Sequence, residues 1–503
     1  MGRMRFRTFG CKANQYDTQV LREALGRRGW SEEPEAPDLV VLNTCAVTAE
    51  AGRSARRELR RLHRAHPAAQ ICVTGCLAES EGEALAQQPG VAWVLGNGEA
   101  KRPVNFLREL GETITPEELG VPPGICEFSG HTRAFLKIQD GCDMSCAFCI
   151  IPRLRGGSRS RPVAELKAEV VRLLAAGHVE IVLCGIHIGH WGREWGLGLS
   201  TLVRALADVE APAAGPALGP GHAWRLRLSS IEATEIDDDL LALLAERPER
   251  LATHLHMPLQ SGDDRILAAM GRWYGSAEYL AACDRIRARL ERPAFTTDIL
   301  VGFPGEDGDS FNNTLKTASM AGFARLHIFP FSPRPGTPAA SLGNVPTSSV
   351  VRERRAALAD LGQRSANAYR RSLVGLEELV VLEGSSGLCG RYQRLRISGC
   401  GPVDSTSGTA GPRQGELVPV RLALDEQAPG YLSGSTPRAR AETAGPGDPA
   451  GPAPAGRAPG RPAPAGPAPA GPAATVTLLG HPLPSSPPAR PLPTAAPAPI
   501  LSR

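Results

Sequence analysis

The sequence lacks the features of a membrane or secreted protein. No uncharged apolar run approaches the roughly 20 residues that span a bilayer. The first residues, MGRMRFRTFGCK, are charged and contain no apolar stretch typical of a secretory signal. Twelve cysteines in 503 residues are an ordinary density, unlike that of a small scaffold stapled by disulfides. We therefore expect a cytoplasmic protein without a membrane partner.

The net charge and the length of the chain give further information on the kind of protein and on its domains. A formal net charge of +4 does not by itself indicate a nucleic-acid partner. A chain of 503 residues is too long for a single core, which indicates several domains. From about Thr436 the composition changes to Pro, Ala and Gly without the strict collagen period. We predict that this tail, 436–503, is disordered, because it cannot bury enough apolar surface to offset its ordering entropy.

The most informative feature that is present is a group of three cysteines, Cys142, Cys146 and Cys149. Three thiolates within eight residues can bind three irons of a four-iron cube, and the fourth iron is then open to a chelating small molecule. Structural zinc normally takes four protein ligands, but no second cysteine pair follows, and His131 would be a makeshift fourth ligand. The spacing favours an iron–sulfur cluster, with zinc or unliganded thiols as the alternatives.

The first hundred residues alternate between strand and helix patterns. The predicted strands are Arg5–Phe9, Asp38–Asn43 and Gln70–Thr74. The predicted helices between them are Gln15–Arg28 and Ala49–His66. A βαβαβ unit of this kind implies a parallel sheet.

Three further cysteines, Cys11, Cys45 and Cys76, each follow one of these strands. Parallel strands end at the same edge of a sheet, where α/β folds bind ligands, so the topology predicts a second three-cysteine site. The alternative is that all three are ordinary buried cysteines, which are common at strand ends. Cys72 lies within its strand and is expected to belong to the core.

The second predicted helix carries six arginines, which form either a solvated basic face or a phosphate-contacting surface. They are Arg53, Arg56, Arg57, Arg60, Arg61 and Arg64.

Six more strand–helix repeats follow, from residue 133 to residue 331. The predicted strands are Arg133–Gln139, Val179–Cys184, Arg225–Ser230, Thr253–Pro258, Phe295–Val301 and Arg325–Phe331. Such repeats predict a partial barrel, open on one side, with its chemistry at the carboxyl ends of the strands. The triplet of Cys142 follows the first strand and therefore lies at that mouth.

Other polar or glycine residues end strands at the same mouth. Gly185 would let the backbone approach a ligand closely. Ser230, Gln260 and Asp298 are candidates to hydrogen-bond the amino acid or ribose of a nucleoside cofactor. The neighbouring histidines are interpreted as structural or supporting residues rather than catalytic ones; they are His187, His190, His254, His256 and His327.

Taken together, these motifs resemble the radical S-adenosylmethionine superfamily and, within it, the methylthiotransferase branch. The resemblance runs from about residue 4 to about residue 360. Its motifs are TFGCKANQYDTQ, VLNTCAVT, VTGCLAE, QDGCDMSCAFCIIPRLRGGSRSRP, LSSIEATEI, HLHMPLQSGDDRIL, TTDILVGFPGE and HIFPFSPRPGTPAA. Three motifs, GCKANQYDTQ, GIHIGHWG and FPFSPRPGTPAA, are most similar to the tRNA enzymes that act on N6-threonylcarbamoyladenosine.

The resemblance implies a chemistry with two [4Fe–4S] clusters and S-adenosylmethionine. The cluster on Cys142, Cys146 and Cys149 would bind the cofactor and generate a radical that removes hydrogen from C2 of adenosine 37. The cluster on Cys11, Cys45 and Cys76 would carry the sulfur that is inserted. Sister enzymes act on isopentenyladenosine in tRNA or on an aspartate of a ribosomal protein, and these remain alternatives.

The resemblance also implies a domain order and partners. We expect an α/β protein with a Rossmann- or flavodoxin-like parallel-sheet domain at 1–125 and a partial (β/α)6 barrel at 128–360. A small TRAM-like β-barrel is expected at 372–434, with the tail 436–503 after it. Its predicted RNA contacts are Arg391, Tyr392, Arg394 and Arg396, in a run where cations alternate with an aromatic. The expected partners are tRNA and an electron donor of the flavodoxin or ferredoxin type.

Two other functional classes are less well supported. A radical methylase with cobalamin normally presents an Asp-x-His-x-x-Gly loop, which the sequence does not contain. A non-catalytic RNA-binding protein with structural metal would not be expected to leave open coordination positions at two sites.

Overall fold

A computed structural model describes residues 2–120, 122–212, 223–398, 414–425 and 432–435. The tail that the sequence predicts to be disordered, 436–503, lies outside these residues. Among the helices that the structure describes, none is both long enough and apolar enough to cross a membrane.

In the N-terminal region the structure describes five strands and five α-helices. Its strands are β1 (Arg3–Thr8), β2 (Ser31–Glu32), β3 (Leu39–Thr44), β4 (Gln70–Gly75) and β5 (Val91–Leu95). Its helices are α1 (Lys12–Arg27), α2 (Ala49–Ala65), α3 (Cys76–Ala86), α4 (Pro103–Glu109) and α5 (Pro116–Leu119).

These strands form one parallel sheet in the order β2-β1-β3-β4-β5. This is the strand order of flavodoxin-like folds, and it confirms the predicted sheet type while adding two strands to it. Both faces of the sheet are covered, because alternate residues of β3 belong to two different cores. Val40 and Leu42 pack with α2 and α3, whereas Val41 packs with α1 and α4. The buried Cys72 belongs to the second of these cores, as expected.

The central region alternates strands and helices. Its strands are β6 (Ala134–Lys137), β7 (Gln139–Asp140), β8 (Arg159–Ser160), β9 (Glu180–Cys184), β10 (Arg225–Leu228), β11 (His254–His256), β12 (Ala294–Val301) and β13 (Arg325–Pro330). Its helices are α6 (Ile151–Arg155), α7 (Val163–Ala175), α8 (Leu199–Ala207), α9 (Asp238–Glu246), α10 (Asp264–Ala269), α11 (Ser276–Arg289), α12 (Gly308–Ala321) and α13 (Ser348–Ser372).

Six of these strands form the predicted partial barrel. The parallel sheet β6-β9-β10 and the parallel sheet β11-β12-β13 are joined by parallel bridges from Leu226 to Leu251 and from Ser230 to His256. The strands therefore follow one another in chain order, and their carboxyl ends share one mouth. β7 and β8 form a separate antiparallel pair beside the loop of Cys142.

The helix α7 packs against the strands of the partial barrel through an apolar face. Leu166, Val170, Leu173 and Leu174 recur at helical spacing on α7, and all four are buried. This stripe packs in the same core as the barrel strands, so the amphipathic pattern holds α7 against the outside of the barrel.

The C-terminal region is a closed five-stranded β-barrel. Its strands are β14 (Glu377–Glu383), β15 (Ser386–Cys389), β16 (Arg394–Ser398), β17 (Leu417–Leu424) and β18 (Leu432–Ser435). The strand β18 follows β17 and completes the barrel by pairing with both β16 and β17. Pro419 lies opposite Leu379 of β14, and pairing with β18 begins only at Arg421. Among the described residues, the proline therefore lies where β17 pairs with β14 alone, a position that tolerates it.

A buried ion cluster joins the two barrels. Glu180, which is 0% exposed, accepts hydrogen bonds from Arg225 (2.5 Å) and Arg227 (2.8 Å). The same arginines donate to backbone carbonyls of the small barrel, Arg225 to Leu388 (2.8 Å) and Arg227 to Cys389 (2.9 Å). The small barrel is therefore fixed at the amino end of the strands, away from the mouth.

Candidate active site and metal centres

The first cysteine triplet lies on a loop that begins at a constrained glycine. Gly141 has a φ of +75°, and a Cβ atom there would lie 1.9 Å from the carbonyl oxygen of Gly157. The amide of Cys142 donates to the carbonyl of Gly156 (3.0 Å), and the amide of Cys149 donates to that of Cys146 (3.0 Å). The loop therefore folds back over its own end and holds all three cysteines, which are half-buried, at the mouth of the barrel.

Two cationic side chains contact sulfurs of this triplet. Arg272 Nη1 lies 3.4 Å from Sγ of Cys146, and His187 Nδ1 lies 3.6 Å from Sγ of Cys142. Burial alone would lower the pKa of His187, but its hydrogen bonds with Cys142 and Glu235 raise that pKa to about 9. Burial raises the pKa of the Cys149 thiol to about 11. Arg272 thus places a positive charge beside the sulfur of Cys146, and His187 is a hydrogen-bond partner beside the sulfur of Cys142.

The second triplet is brought together by the N-terminal sheet. Cys11 follows β1, Cys45 follows β3 and Cys76 is the first residue of α3 after β4. The thiol of Cys45 lies 3.1 Å from the point where a Cβ of Gly10 would be, so the loops after β1 and β3 are in contact. The pKa of Cys45 is raised to about 11, mainly by burial and in smaller part by the nearby Cys76 and Cys11. The structure therefore brings the three strand-end cysteines to one edge of the sheet, and their role as ligands of a second cluster stays a prediction.

The distances between the sulfurs distinguish a site for a single metal ion from a site for a multi-iron cluster. Two sulfurs on one zinc ion lie at most about 4.6 Å apart, because a Zn–S bond is about 2.3 Å long. In the described part of the chain, the sets of three candidate ligands within 4.8 Å of one another contain histidine and carboxylate but no cysteine. Each triplet is thus spaced too widely for all its sulfurs to bind one zinc ion, and a multi-iron group fits the donor set better.

One short helix connects the two triplets. α6 directly follows the loop of Cys149, and its Leu154 packs with Cys76 in a core of the N-terminal region. The side-chain amide nitrogen of Asn97 donates to the carbonyl of Leu154 (3.1 Å) and to Sγ of Cys76 (3.5 Å). The two cysteine sites therefore face the same boundary between the N-terminal region and the barrel.

Three of the four predicted cofactor-binding residues lie near one another at the mouth. The amide of Gln260 donates to the carbonyl of Asp298 (2.9 Å), and Ser230 is bridged to His256, whose Nε2 lies 3.4 Å from Oδ1 of Asp298. His327 also contacts that oxygen (3.2 Å). Burial alone would raise the pKa of Asp298, but both histidines hold it well below its ordinary range. Asp298 is thus a carboxylate that can accept hydrogen bonds from a ligand.

Gln260 adopts an unusual backbone conformation, with a φ of +65° although it is not a glycine. Such conformations cost on the order of 1–3 kcal/mol and cluster at ligand sites. Its prediction as a cofactor contact is therefore consistent with its geometry.

Gly185, the fourth predicted cofactor-binding residue, packs closely against the backbone of Gln139. A Cβ there would lie 2.9 Å from the carbonyl oxygen of Gln139. The side chain of Gln139 accepts hydrogen bonds from the amides of Ile186 (3.1 Å) and His187 (2.9 Å). The glycine thus lets this turn pack against the residues that lead into the loop of Cys142, and its predicted contact with a cofactor stays a prediction.

The structure divides the predicted RNA-contacting residues into two pairs. Arg391 is buried and donates to the carbonyls of Arg292 (2.9 Å) and Glu291 (2.8 Å). Tyr392 stacks on His254, with ring centroids 4.4 Å apart. Both residues therefore hold the small barrel against the larger one, because their side chains face the protein.

The other pair remains on the surface. The side chains of Arg394 and Arg396 are 57% and 56% exposed, beside Glu383 and Asp425. The predicted contact with RNA is thus better placed on Arg394 and Arg396, where it stays a prediction.

The arginines of α2 are largely paired on the surface of the helix. Arg53 and Arg57 contact Glu50, Arg61 contacts Glu58 and Arg56 contacts Glu81. This pattern favours the solvated face among the two alternatives.

Several buried or half-buried polar residues around the two sites escape prediction from the sequence. The buried ones are Asn14, Asp17, Asn97, Lys101 and Arg155, and Lys137 and Arg272 are half-buried. Asn14 and Asp17 follow Cys11 at intervals of three residues, which places them on one face of α1. That spacing is a usable signal, whereas Asn97 and Lys101 come from an irregular segment without a pattern of its own.

Comparison with protein families gives two matches along the chain. Residues 3–96 match the uncharacterized protein family UPF0004, and residues 136–318 match the radical SAM superfamily. The two matches correspond to the parallel-sheet region and the partial barrel, each with one cysteine triplet.

Full-length relatives match across both regions. The chain is 34% identical over 393 residues to the threonylcarbamoyladenosine tRNA methylthiotransferase MtaB of Thermotoga maritima, covering 76% of this chain and 87% of that protein. It is 37% identical over 382 residues to the protein of the same name from Chlamydia pneumoniae, covering 75% and 86%. It is also 35% identical over 446 residues to the tRNA-2-methylthio-N(6)-dimethylallyladenosine synthase of Cereibacter sphaeroides, covering 85% and 97%.

A solved structure shares the fold. The radical S-adenosylmethionine methyltransferase TsrM from Kitasatospora setae, with tryptophan and a SAM analogue bound, aligns with a TM-score of 0.50. The identity is 16%, and the alignment covers 68% of this chain and 75% of that one. At this identity the likeness concerns the fold alone.

Proposed function

Because the chain belongs to the family of radical SAM tRNA methylthiotransferases, we propose that it inserts a methylthio group at C2 of N6-threonylcarbamoyladenosine 37 in tRNA. Membership implies an enzyme that uses S-adenosylmethionine and a [4Fe–4S] cluster on a tRNA substrate. The proposal adds the identity of the nucleoside, the atom that is modified and a second cluster.

The observation that carries the proposal is the pair of cysteine triplets at one domain boundary. Cys142, Cys146 and Cys149 would hold the cluster that binds S-adenosylmethionine, and Cys11, Cys45 and Cys76 would hold the second cluster. A radical SAM enzyme that only generates a radical needs the first triplet alone. A second open site, linked to the first through Leu154 and Asn97, supports a reaction in which sulfur is delivered to the activated carbon.

When bound, the clusters and S-adenosylmethionine supply the radical, sulfur and methyl chemistry, and the protein supplies placement. In the proposed assignment, Asp298 accepts hydrogen bonds from the cofactor at the mouth, and Gln260 and Ser230 line the same rim. Arg272 places positive charge against Cys146. Arg272 is itself held by Glu232 and by Tyr274 (3.0 Å), so its guanidinium has a fixed position at the cluster.

The proposed domain boundaries follow the sequence: the second cluster in 1–125, the radical barrel in 128–360 and the RNA-binding barrel in 372–434. Arg394 and Arg396 are exposed on the small barrel and are suited to phosphate contacts. We propose a flavodoxin- or ferredoxin-type electron donor, because one-electron reduction of the first cluster is required before cofactor cleavage.

The choice of nucleoside rests on relatives rather than on side-chain geometry. Relatives named for threonylcarbamoyladenosine and for dimethylallyladenosine are 34–37% and 35–36% identical to the chain. The motif GIHIGHWG after β9 favours the first group. Modification of dimethylallyladenosine is therefore the second candidate, with the same cysteines in the same roles.

Cluster counting tests the two-site assignment. After anaerobic reconstitution, the full chain should contain about eight irons, as two four-iron clusters. A variant with Cys11, Cys45 and Cys76 replaced by Ala should keep about four irons and still cleave S-adenosylmethionine. The matched variant with Cys142, Cys146 and Cys149 replaced should also keep about four irons but should not cleave it.

Two results would contradict these assignments. About four irons in the unaltered chain would remove the second cluster from the proposal. Product formation on tRNA that carries dimethylallyladenosine, and none on tRNA that carries threonylcarbamoyladenosine, would replace the first candidate nucleoside by the second.

A further inference from the structure

We propose that Arg155 is a positioning residue that sets the distance between the two cysteine sites, so that radical generation leads to sulfur insertion. The inference rests on the proposed two-cluster function. Arg155 does not hydrogen-bond to a cysteine. It is instead linked by hydrogen bonds to the segments of the chain that carry both triplets.

One edge of the Arg155 guanidinium fixes the loop of the first triplet. Nη1 donates to both carboxylate oxygens of Asp140, at 2.8 and 2.9 Å. Asp140 in turn accepts a hydrogen bond from the amide of Gly141 (2.9 Å), the residue before Cys142. Arg155 thereby acts on the strained turn at which this loop begins.

The other edge of the guanidinium fixes the loops of the second triplet. Nη2 donates to Oδ1 of Asn14 at 2.5 Å. The side-chain amide nitrogen of Asn14 donates to the carbonyls of Phe9 (2.9 Å) and Thr44 (2.8 Å). These carbonyls lie two residues before Cys11 and one residue before Cys45, so a single amide joins both loops and links them to Arg155.

The network is buried and consists largely of ionisable groups. Arg155 is 5% exposed and Asn14 is 1% exposed. Asp17 lies 3.3 Å from Arg155 and 3.1 Å from Lys101, and it also contacts Lys137. Burial alone would raise the pKa of Asp17, but these three cations hold it well below its ordinary range. A paired buried charge of this kind is expensive to displace, so the network resists relative movement of the two sites.

The network also gives the boundary a positive character. Its cations are Lys101, Lys137 and Arg155, and its carboxylates are Asp17 and Asp140, which leaves an excess of one positive charge. Burial would lower the pKa of Arg155, but Asp17 and Asp140 raise it well above its ordinary value, so the guanidinium is a cation at this boundary. Positive charge at this boundary offsets the negative charge of thiolate-ligated clusters on either side.

Arg155→Lys is the informative variant because it keeps the charge but cannot bond Asp140 and Asn14 in a bidentate fashion. A shift of about 1 Å in a reacting geometry can reduce a rate about a hundredfold. We expect the variant to bind about eight irons and to cleave S-adenosylmethionine within about twofold of the unaltered chain, since each site remains complete. We expect about a hundredfold more 5′-deoxyadenosine per methylthiolated nucleoside, because radical formation and sulfur insertion become uncoupled.

A physical readout accompanies the product ratio. With both clusters reduced, their magnetic dipolar coupling in electron paramagnetic resonance depends on the distance between them. The coupling should change in Arg155→Lys and in Arg155→Met. The matched control is Arg153→Lys, on the same helix, because Arg153 is exposed towards the barrel side and donates to the carbonyl of Gly336 (2.8 Å).

Each outcome has one meaning. An unchanged coupling and product ratio in both Arg155 variants would overturn the inference, as would the same change in Arg153→Lys. Loss of one cluster from both Arg155 variants would also overturn it, since Arg155 would then support a single site. If the unaltered chain contains about four irons, the two-cluster function itself fails, and this is seen before any variant is made.

Discussion

Arg272 donates a hydrogen bond to the sulfur of Cys146 across 3.4 Å, although the two residues are 126 positions apart in the chain. The arginine is 4% exposed at its side chain and also contacts Glu232. Hydrogen bonds and positive charge at cluster sulfurs raise the reduction potential of an iron–sulfur cluster. The contact therefore gives the barrel a means of setting how readily its cluster accepts an electron.

The first prediction concerns this contact. Arg272→Met should retain the iron of the first triplet but lower the midpoint potential of its cluster, because a charge and an N–H···S bond are lost. A redox titration followed by electron paramagnetic resonance measures the shift. Arg265→Met, which removes an exposed arginine from the neighbouring α10, serves as the control. An unchanged potential would show that Arg272 has only a packing role.

The second prediction concerns the glycine at the start of the first cysteine loop. Gly141→Ala should abolish iron binding by this triplet, because its Cβ would meet a backbone carbonyl at 1.9 Å. Gly130→Ala is a matched control with a φ of +74° and no atom within 4 Å of its Cβ. The control should lose only about 1 kcal/mol of stability, the ordinary cost of a left-handed conformation. Iron analysis and thermal unfolding of both variants decide the matter, and full iron content in Gly141→Ala would contradict the loop geometry.

The third prediction concerns the buried Glu180 between the two barrels. Glu180→Gln should destabilise the protein by about 3–5 kcal/mol, because Arg225 and Arg227 lose the charge that compensates them. Glu246→Gln is the control, since that carboxylate is 59% exposed and lies 3.9 Å from its arginine. Denaturant unfolding at neutral pH measures both changes.

The same carboxylate has a definite pH dependence. Burial alone would raise the pKa of Glu180, but Arg225, Arg227 and Arg133 hold it well below its ordinary value. A carboxyl group with a lowered pKa in the folded state stabilises the protein above its unfolded pKa of about 4, and this contribution is lost as pH falls. The difference in stability between the unaltered chain and Glu180→Gln should therefore shrink below about pH 4. A difference that grows on acidification would contradict the assigned charge state.

The fourth prediction concerns RNA binding by the small barrel. Arg394→Ala and Arg396→Ala should each weaken tRNA binding and reduce the slope of log K against log salt by about 0.7–0.9 if each side chain contacts one phosphate. Arg289→Ala, on the surface of α11, should leave the slope unchanged. Binding titrations over a range of salt concentrations provide the slopes. Equal slopes in all the variants would remove the small barrel's arginines from the RNA-binding surface.

Much of this architecture could be predicted from the sequence because it depends on local periodicity. The strands of both parallel sheets follow from short apolar runs, and the convergence of Cys11, Cys45 and Cys76 follows from the rule that parallel strands end at one edge. The roles of Arg391 and Tyr392 could not be predicted in this way. Alternation of cations and aromatics is equally typical of an RNA surface and of a domain interface, and only tertiary packing separates the two.

The network around Arg155 could not be predicted from the sequence either. Asn14, Asp17, Lys101 and Arg155 are polar, and each taken alone is ordinary on a protein surface. They become buried partners only when three distant segments meet at the domain boundary. The proposed positioning role of Arg155 depends on this arrangement of three segments, and no single sequence motif predicts it.

The most direct test of the two-triplet account is nucleoside analysis by mass spectrometry after anaerobic reaction with tRNA that carries threonylcarbamoyladenosine. The account predicts a methylthio group at C2 of adenosine 37 with the unaltered chain. The variant lacking Cys11, Cys45 and Cys76 should produce 5′-deoxyadenosine without this product, and the variant lacking Cys142, Cys146 and Cys149 should produce neither. Methylthiolated nucleoside from the variant lacking Cys11, Cys45 and Cys76 would contradict the account.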